Sequence, residues 1–218
     1  MASKEGFELL DIKGVDRKVQ HLFSEVLQED DFGRLWANYN DGSGNIVDQE
    51  VISLSKLKFS SCGILHFSPA NPFSARSLYI SDSVANLISF AQSYSSRLSW
   101  DYAAFIATGA KKERDLFLEV VGKYPSVKKY YAVYGHSLIG RIRDCKVQHW
   151  LRGEDCSFRI DGEVVVANYH GKDFMLAGEK FSLRNHLRQL GIRQRLSALK
   201  NRKWDVENYY FFKWQSGN

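Results

Sequence analysis

The sequence predicts an α/β protein with a mostly parallel central sheet flanked by helices. A helix and hairpin precede that sheet, and a β-plus-helical extension follows it. Three observations lead there. Residues 77–150 alternate short apolar runs with longer segments whose apolar side chains recur every three or four positions, which is how buried strands and amphipathic helices read in turn. Three such strand–helix units in succession imply parallel pairing with right-handed crossovers. Finally, Asp41-Gly42-Ser43-Gly44 lies between two β-prone runs, a hairpin signal.

In chain order, Val15, Val19, Leu22, Phe23, Val26 and Leu27 give one apolar helical face, with Asp16 placed as N-cap and Glu29-Asp30-Asp31 as its end. The hairpin about Gly42 comes next, then extended structure from Val51 to Phe67. Pro69 and Pro72 mark a turn over 67–73. Ser77–Ile80, Tyr102–Ala107 and Tyr130–Tyr134 are the three predicted strands of the core. The helices between and after them carry Val84, Leu87, Ile88 and Ala91, then Leu116, Val120 and Val121, then Ile139, Ile142, Val147 and Trp150. Beyond them Val164–Val166 and Phe174–Leu176 read as strands around a turn at Gly171, and 182–213 as two or three short helices. This divides the chain into a helix-and-hairpin segment (1–75), an α/β core (76–153) and a C-terminal β/helical extension (154–218) packed together as one compact unit. In open α/β sheets ligands sit beyond the carboxyl ends of the strands, here Ser81-Asp82, Thr108-Gly109 and Gly135-His136-Ser137.

The 218 residues are 44% hydrophobic and 25% charged, ordinary globular usage that argues against disorder. Three cysteines, Cys62, Cys145 and Cys156, form no C-x-x-C pair, so the expectation is reduced thiols and no metal knuckle. The polar start and the lack of a run of about 18 apolar residues predict a cytoplasmic protein without a signal peptide or membrane span. Gly153, Gly162 and Gly171 show no G-x-G-x-x-G or phosphate-loop spacing, so no nucleotide cofactor is expected. A net charge of +5 is compatible with an anionic partner.

The stretch Leu78-Tyr79-Ile80-Ser81-Asp82, then Phe105-Ile106-Ala107-Thr108-Gly109, then Ala132-Val133-Tyr134-Gly135-His136-Ser137-Leu138-Ile139-Gly140-Arg141 resembles the toprim core of bacterial primases and mobile-element proteins. That family runs strand–acid–helix, strand–Gly–helix, strand–Asp-x-Asp–helix in a Rossmann-like sheet. The resemblance covers residues 77–153, about a third of the chain. The tail Lys203-Trp204-Asp205-Val206-Glu207-Asn208 is loosely similar to a family ending. The resemblance implies a proton-handling glutamate where this chain has Asp82, and two magnesium-binding aspartates where it has Gly135 and Ser137. Magnesium requires charged oxygen donors in octahedral geometry, so the metal site is expected to be lost. Asn86 stands where family members often carry an acid. Magnesium returns only if another acid, such as Asp101, Glu113 or Asp144, rebuilds the site.

The candidate residues are therefore Asp82 and His136 as an acid–base pair, and Arg141 on the helix after the third strand. Arg184, Arg188, Arg193, Arg195, Lys200, Arg202 and Lys203 add seven cations uninterrupted by an acid, a pattern that can track a phosphate backbone. Trp204, Tyr209, Tyr210, Phe211, Phe212 and Trp214 follow and could stack on unpaired bases. Three functions are compatible with this: a catalytically degenerate toprim-like protein that binds single-stranded or primed nucleic acid or a replication or mobile-element partner; a phosphotransferase or nuclease using Asp82 and His136; or a protein-interaction module.

Overall fold

The computed structural model describes residues 6–69, 71–96, 100–110 and 113–199. It is a mixed α/β protein with six α-helices and several sheets among the described residues. Contacts divide the chain between Lys128 and Lys129 into two units.

The first unit opens with two short helices, α1 (Glu8–Ile12) and α2 (Arg17–Phe23). Strands β1 (Gln28–Glu29), β2 (Leu35–Asn40), β3 (Ile46–Ile52) and β4 (Leu57–Lys58) then form an antiparallel sheet in sequence order. The hairpin expected at Asp41–Gly44 joins β2 to β3. Asp41 organises it by accepting from the backbone N–H groups of Ser43 and Asn45, both at 2.9 Å. Burial along β2 alternates strictly, turning Leu35, Ala37 and Tyr39 inward, as a half-buried strand should. The first predicted helix is shorter than its apolar periodicity suggests. It stops at Phe23, Glu29 belongs to β1, and Asp30 builds a turn by accepting from Phe32 N and Arg34 N. Asp16 occupies the N-cap position but its side chain caps nothing. It instead accepts from Ser95 Oγ at 3.2 Å.

The remainder of the first unit holds β5 (Leu65–Phe67), β6 (Ser77–Ser81), α3 (Val84–Tyr94), β7 (Ala103–Ala107) and α4 (Arg114–Gly122). The first two predicted strand–helix units are thus present, with β6 parallel to β7 over the full length of both. On its other side β7 pairs with β5, and that pairing is antiparallel. Every residue of β7 is buried, which explains its continuous apolar reading. An aromatic core gathers there: Phe105 has ring centroids within 6 Å of Phe23, Phe67, Tyr79 and Trp100.

The second unit starts with the third predicted strand–helix pair, β8 (Lys129–Ala132) and α5 (Leu138–Trp150). Three strands, β9 (Ser157–Asp161), β10 (Val164–Tyr169) and β11 (Lys172–Ala177), make an antiparallel sheet with β10 central. The turn from β10 to β11 is His170-Gly171, both at positive φ, which suits a two-residue hairpin. Then come α6 (Leu183–Leu190) and β12 (Leu196–Ala198), the latter parallel to β8. Residues 196–198 were expected to be helical. The left-handed Gly191 ends α6 (φ 66°), and Leu196 is buried by pairing beside Tyr130 instead. Where strand direction is given, β6–β7 and β8–β12 pair in parallel and the other pairs are antiparallel, so the described residues form a mixed α/β fold with several sheets.

Serine caps three of the helices in one manner. Ser83, Ser137 and Ser182 each accept from the backbone N–H three residues on, at 3.1, 3.1 and 3.2 Å, satisfying a donor that the helix cannot.

Candidate functional site

Asp82 follows β6 and is buried, its exposure being 8%. Its Oδ1 accepts from Asn86 Nδ2 at 2.7 Å and from Ser81 Oγ at 3.3 Å. One helical turn separates Asp82 from Asn86, so the amide side chain of Asn86 serves as the hydrogen-bond partner of the Asp82 carboxyl. Thr108 fastens the neighbouring strand end to the same place, donating from N and Oγ1 to the Ser81 carbonyl.

The N-terminus of α3 already holds an anionic side chain. Glu50 of β3 is fully buried. It accepts from Val84 N on Oε2 and from Ala85 N on Oε1, each at 2.9 Å, and from the Tyr39 hydroxyl at 2.6 Å. Free N–H groups and the helix dipole make such a terminus a natural site for an acceptor, and here the chain supplies the carboxyl group itself. Burial pushes the Glu50 carboxyl up to about 7, with the three donors pulling the other way. The sequence reading missed Glu50 because it lies in a different element from the helix it serves.

In the second unit, Ser137 of the Gly135-His136-Ser137 segment has a structural role, and the Gly135 backbone packs closely on the helix that follows. Ser137 caps α5 through Gly140 N. A Cβ on Gly140 would lie 2.2 Å from the Gly135 carbonyl oxygen, so the close approach of loop to helix requires glycine at 140. His136 is half-buried. Asp82 lies in the first unit and His136 in the second. Of the acids that could rebuild a metal site, Asp101 and Glu113 are exposed in the first unit, and Asp144 is buried on α5 in the second.

Arg141 is committed within the second unit, where its Nη1 donates to the Phe181 carbonyl at 2.6 Å and the Glu179 carbonyl at 3.4 Å. The other described cations differ. Arg184 and Arg188 stand one turn apart on the exposed face of α6, opposite buried Leu183, His186 and Leu187. Arg193 and Arg195 follow and are also exposed. Among the described residues none of the four takes part in an ion pair, and no acid occurs between 182 and 199. Arg195 Nη1 also donates to the Leu151 carbonyl at 3.3 Å. Lys200, Arg202, Lys203 and the aromatics from Trp204 to Trp214 lie outside the described residues.

Beneath α6 the second unit buries a cluster that sequence reading did not single out. His149 near the end of α5, Cys156 before β9 and His186 on α6 are each at most 1% exposed. Their donor atoms all lie within 4.8 Å of one another, and His149 Nε2 is 2.9 Å from His186 Nε2. Burial lowers the proton affinity of both rings, that of His186 to about 4. Glu154 Oε2 stands 3.6 Å from His149 Nδ1, beyond hydrogen-bond length. That carboxylate is held by Arg152 and by the Tyr169 hydroxyl at 2.9 Å. Spacing along the chain does not reveal the three, because they sit on two different helices and on the segment that leads into β9.

No protein-family model and no curated protein matches the chain. Solved structures similar to it include two primase structures. The primase fragment of the bacteriophage T7 primase-helicase protein aligns over 58% of this chain and 52% of its own, at 13% identity and a TM-score of 0.34. The DnaG primase catalytic domain bound to ssDNA aligns over 64% of this chain and 58% of its own, at 11% identity and a TM-score of 0.36. The chain therefore spans little more than half the length of the solved chains it matches. No residue role is carried over from either. No helix among the described residues is long and apolar enough to cross a membrane.

Proposed function

We propose that this protein binds single-stranded or primed nucleic acid through the arginine face of its second unit, on a toprim-like framework that has lost metal-dependent chemistry. The observation that carries the reading is the set Arg184, Arg188, Arg193 and Arg195: exposed, unopposed by any carboxylate among the described residues, and continuous in sequence with Lys200, Arg202 and Lys203. A solvated helix face ordinarily mixes its charges and pairs them, whereas this one presents a single sign. Such a surface releases counterions when it meets a phosphate backbone. The order of strand-end loops, Asp82, Gly109 and Gly135-His136-Ser137, supports the toprim-like reading. So does the use each position is put to: an amide ties Asp82, and Ser137 serves as a cap. None of the three cysteines forms a disulfide among the described residues, which suits the cytoplasmic setting in which we place the protein.

Fluorescence anisotropy of a labelled single-stranded oligonucleotide over a salt series tests this. The four arginines should contribute about three to the slope of log affinity against log salt, at about 0.7 per phosphate contact for single strands. The variant with Arg184, Arg188, Arg193 and Arg195 all changed to Gln should lose that part of the slope. Salt-insensitive binding, or an unchanged slope in the variant, overturns the proposal. Calorimetric titration with magnesium or manganese should show no micromolar site. Micromolar binding that disappears in Asp82→Ala, together with magnesium-dependent nuclease or primase activity, would favour a phosphotransferase or nuclease that uses Asp82.

A further inference from the structure

We infer that His149, Cys156 and His186 form a binding site for a zinc-class divalent ion, which staples α5, β9 and α6 together beneath the arginine face. Two imidazole nitrogens and one thiolate are a donor set that zinc takes readily. Three features of the geometry point to an ion over a hydrogen-bonded histidine pair alone.

The first is convergence. All three donor atoms lie within 4.8 Å of one another in an interior where none is exposed to water. Around a tetrahedral zinc with bonds of about 2.0 Å to nitrogen and about 2.3 Å to sulfur, neighbouring donors stand about 3.3–3.6 Å apart. The histidine nitrogens, at 2.9 Å, need to part by a few tenths of an ångström, and Cys156 needs to rotate inward by about 1 Å. A histidine pair by itself gives no reason for a buried thiol to face it.

The second is the setting of His149. Its far nitrogen, Nδ1, faces Glu154 at 3.6 Å, and that carboxylate is fixed in turn by Arg152 and Tyr169. A carboxylate behind a histidine is typical of metal-ligating histidines; Glu154 stands just beyond hydrogen-bond length, and the small ring movement that metal binding requires would bring Nδ1 within its reach. Nε2 faces the cluster, 2.9 Å from His186 Nε2.

The third is the wall. Phe158 and Phe181 approach His186 with ring centroids at 5.3 and 5.8 Å, and Tyr169 approaches His149 at 5.0 Å. They leave little room around the three ligands, so a water or other small ligand completes the tetrahedron. On binding, the Cys156 S–H bond breaks, sulfur bonds to the metal with its electron pair, and the proton leaves to solvent; no redox change occurs.

The test uses tag-free, full-length protein, stripped of metal and titrated with cobalt(II). The expected result is one cobalt per chain, with the near-ultraviolet thiolate-to-cobalt band and visible bands of tetrahedral intensity, both displaced by zinc. The wild-type spectrum decides the matter even if variants fold poorly: absence of the thiolate band overturns the proposal. Among variants, Cys156→Ser should abolish that band, Cys62→Ser should keep it, and Glu154→Gln should weaken binding by about 10- to 100-fold at unchanged stoichiometry. A thiolate band that survives Cys156→Ser also overturns it. A site that forms while the arginine variant still binds oligonucleotide normally separates this inference from the proposed function.

Discussion

Replacing Glu50 with Ala should cost the first unit about 3–5 kcal/mol of stability, a larger effect than ordinary core truncations produce at their lower end. The Glu50 carboxylate is the shared acceptor for two backbone N–H groups at the start of α3 and for the Tyr39 hydroxyl. Truncation leaves all three donors buried with nothing to accept from them. A buried donor left unsatisfied costs about 1–3 kcal/mol, and the lost side chain adds a cavity in a site with 0% exposure. Thermal unfolding followed by circular dichroism should show a midpoint lower by about 10 °C or more. Glu50→Gln should cost less, because it keeps one acceptor oxygen while turning an amide nitrogen toward a donor. A variant as stable as wild type would show that the anion at the α3 terminus is not structural.

The same residue sets a pH dependence. Burial raises its folded value to about 7 from an ordinary value of 4.5. Between those values the native state keeps a proton that the unfolded chain has released. Its contribution is therefore fully present below about 4.5 and is lost as the pH rises through about 7. Glu50→Gln should remove this slope from a stability-versus-pH series.

Gly140→Ala should destabilise the second unit by about 2–3 kcal/mol, against the usual preference of helices for alanine. Alanine in a helix interior ordinarily gains about 1 kcal/mol over glycine. Here the added methyl group would lie 2.2 Å from the Gly135 carbonyl oxygen and 2.9 Å from its carbon. Both are backbone atoms, so no side chain can swing aside, and the loop or the helix must shift; forcing extra volume into a packed site costs about 1–3 kcal/mol and sometimes more. Gly122 near the end of α4 provides the contrast, since nothing lies within 4 Å of a Cβ built there. Gly122→Ala should be neutral or mildly stabilising in the same denaturant melts. Equal effects at the two positions would show that the contact at Gly140 is easily relieved.

Much of the fold is legible in the sequence where local physics decides. The alternation across 77–150 is correct in kind and order, because strands buried on both faces read as unbroken apolar runs and helices repeat their apolar positions every three to four residues. The hairpin at Asp41–Gly44 follows from turn chemistry and is also as read. One further strand could have been found: Phe158 and Ile160 alternate with polar residues ahead of Asp161-Gly162, a hairpin signal of the same kind. The direction of β5 and the extended course of 196–198 could not. Nothing local specifies which edge of a sheet a short segment will join, and pairing with Tyr130–Ala132 outweighs the helical spacing of Leu196 and Leu199.

The candidate sites divide in the same way. The sequence by itself determined that Gly135 and Ser137 carry no carboxylate, and that the charged side chains from Arg184 to Lys203 are of one sign, because identity and charge are properties of single residues. It also marked Gly140, without giving its reason. Only the tertiary structure decided that Asn86 holds Asp82, that Glu50 fills the start of α3, that Arg141 is tied to backbone carbonyls, and that His149, Cys156 and His186 meet. Each of these is a contact between elements apart in sequence, or depends on which side of a helix faces inward. Packing against the rest of the chain fixes such contacts, and they leave no period or spacing for a sequence to display.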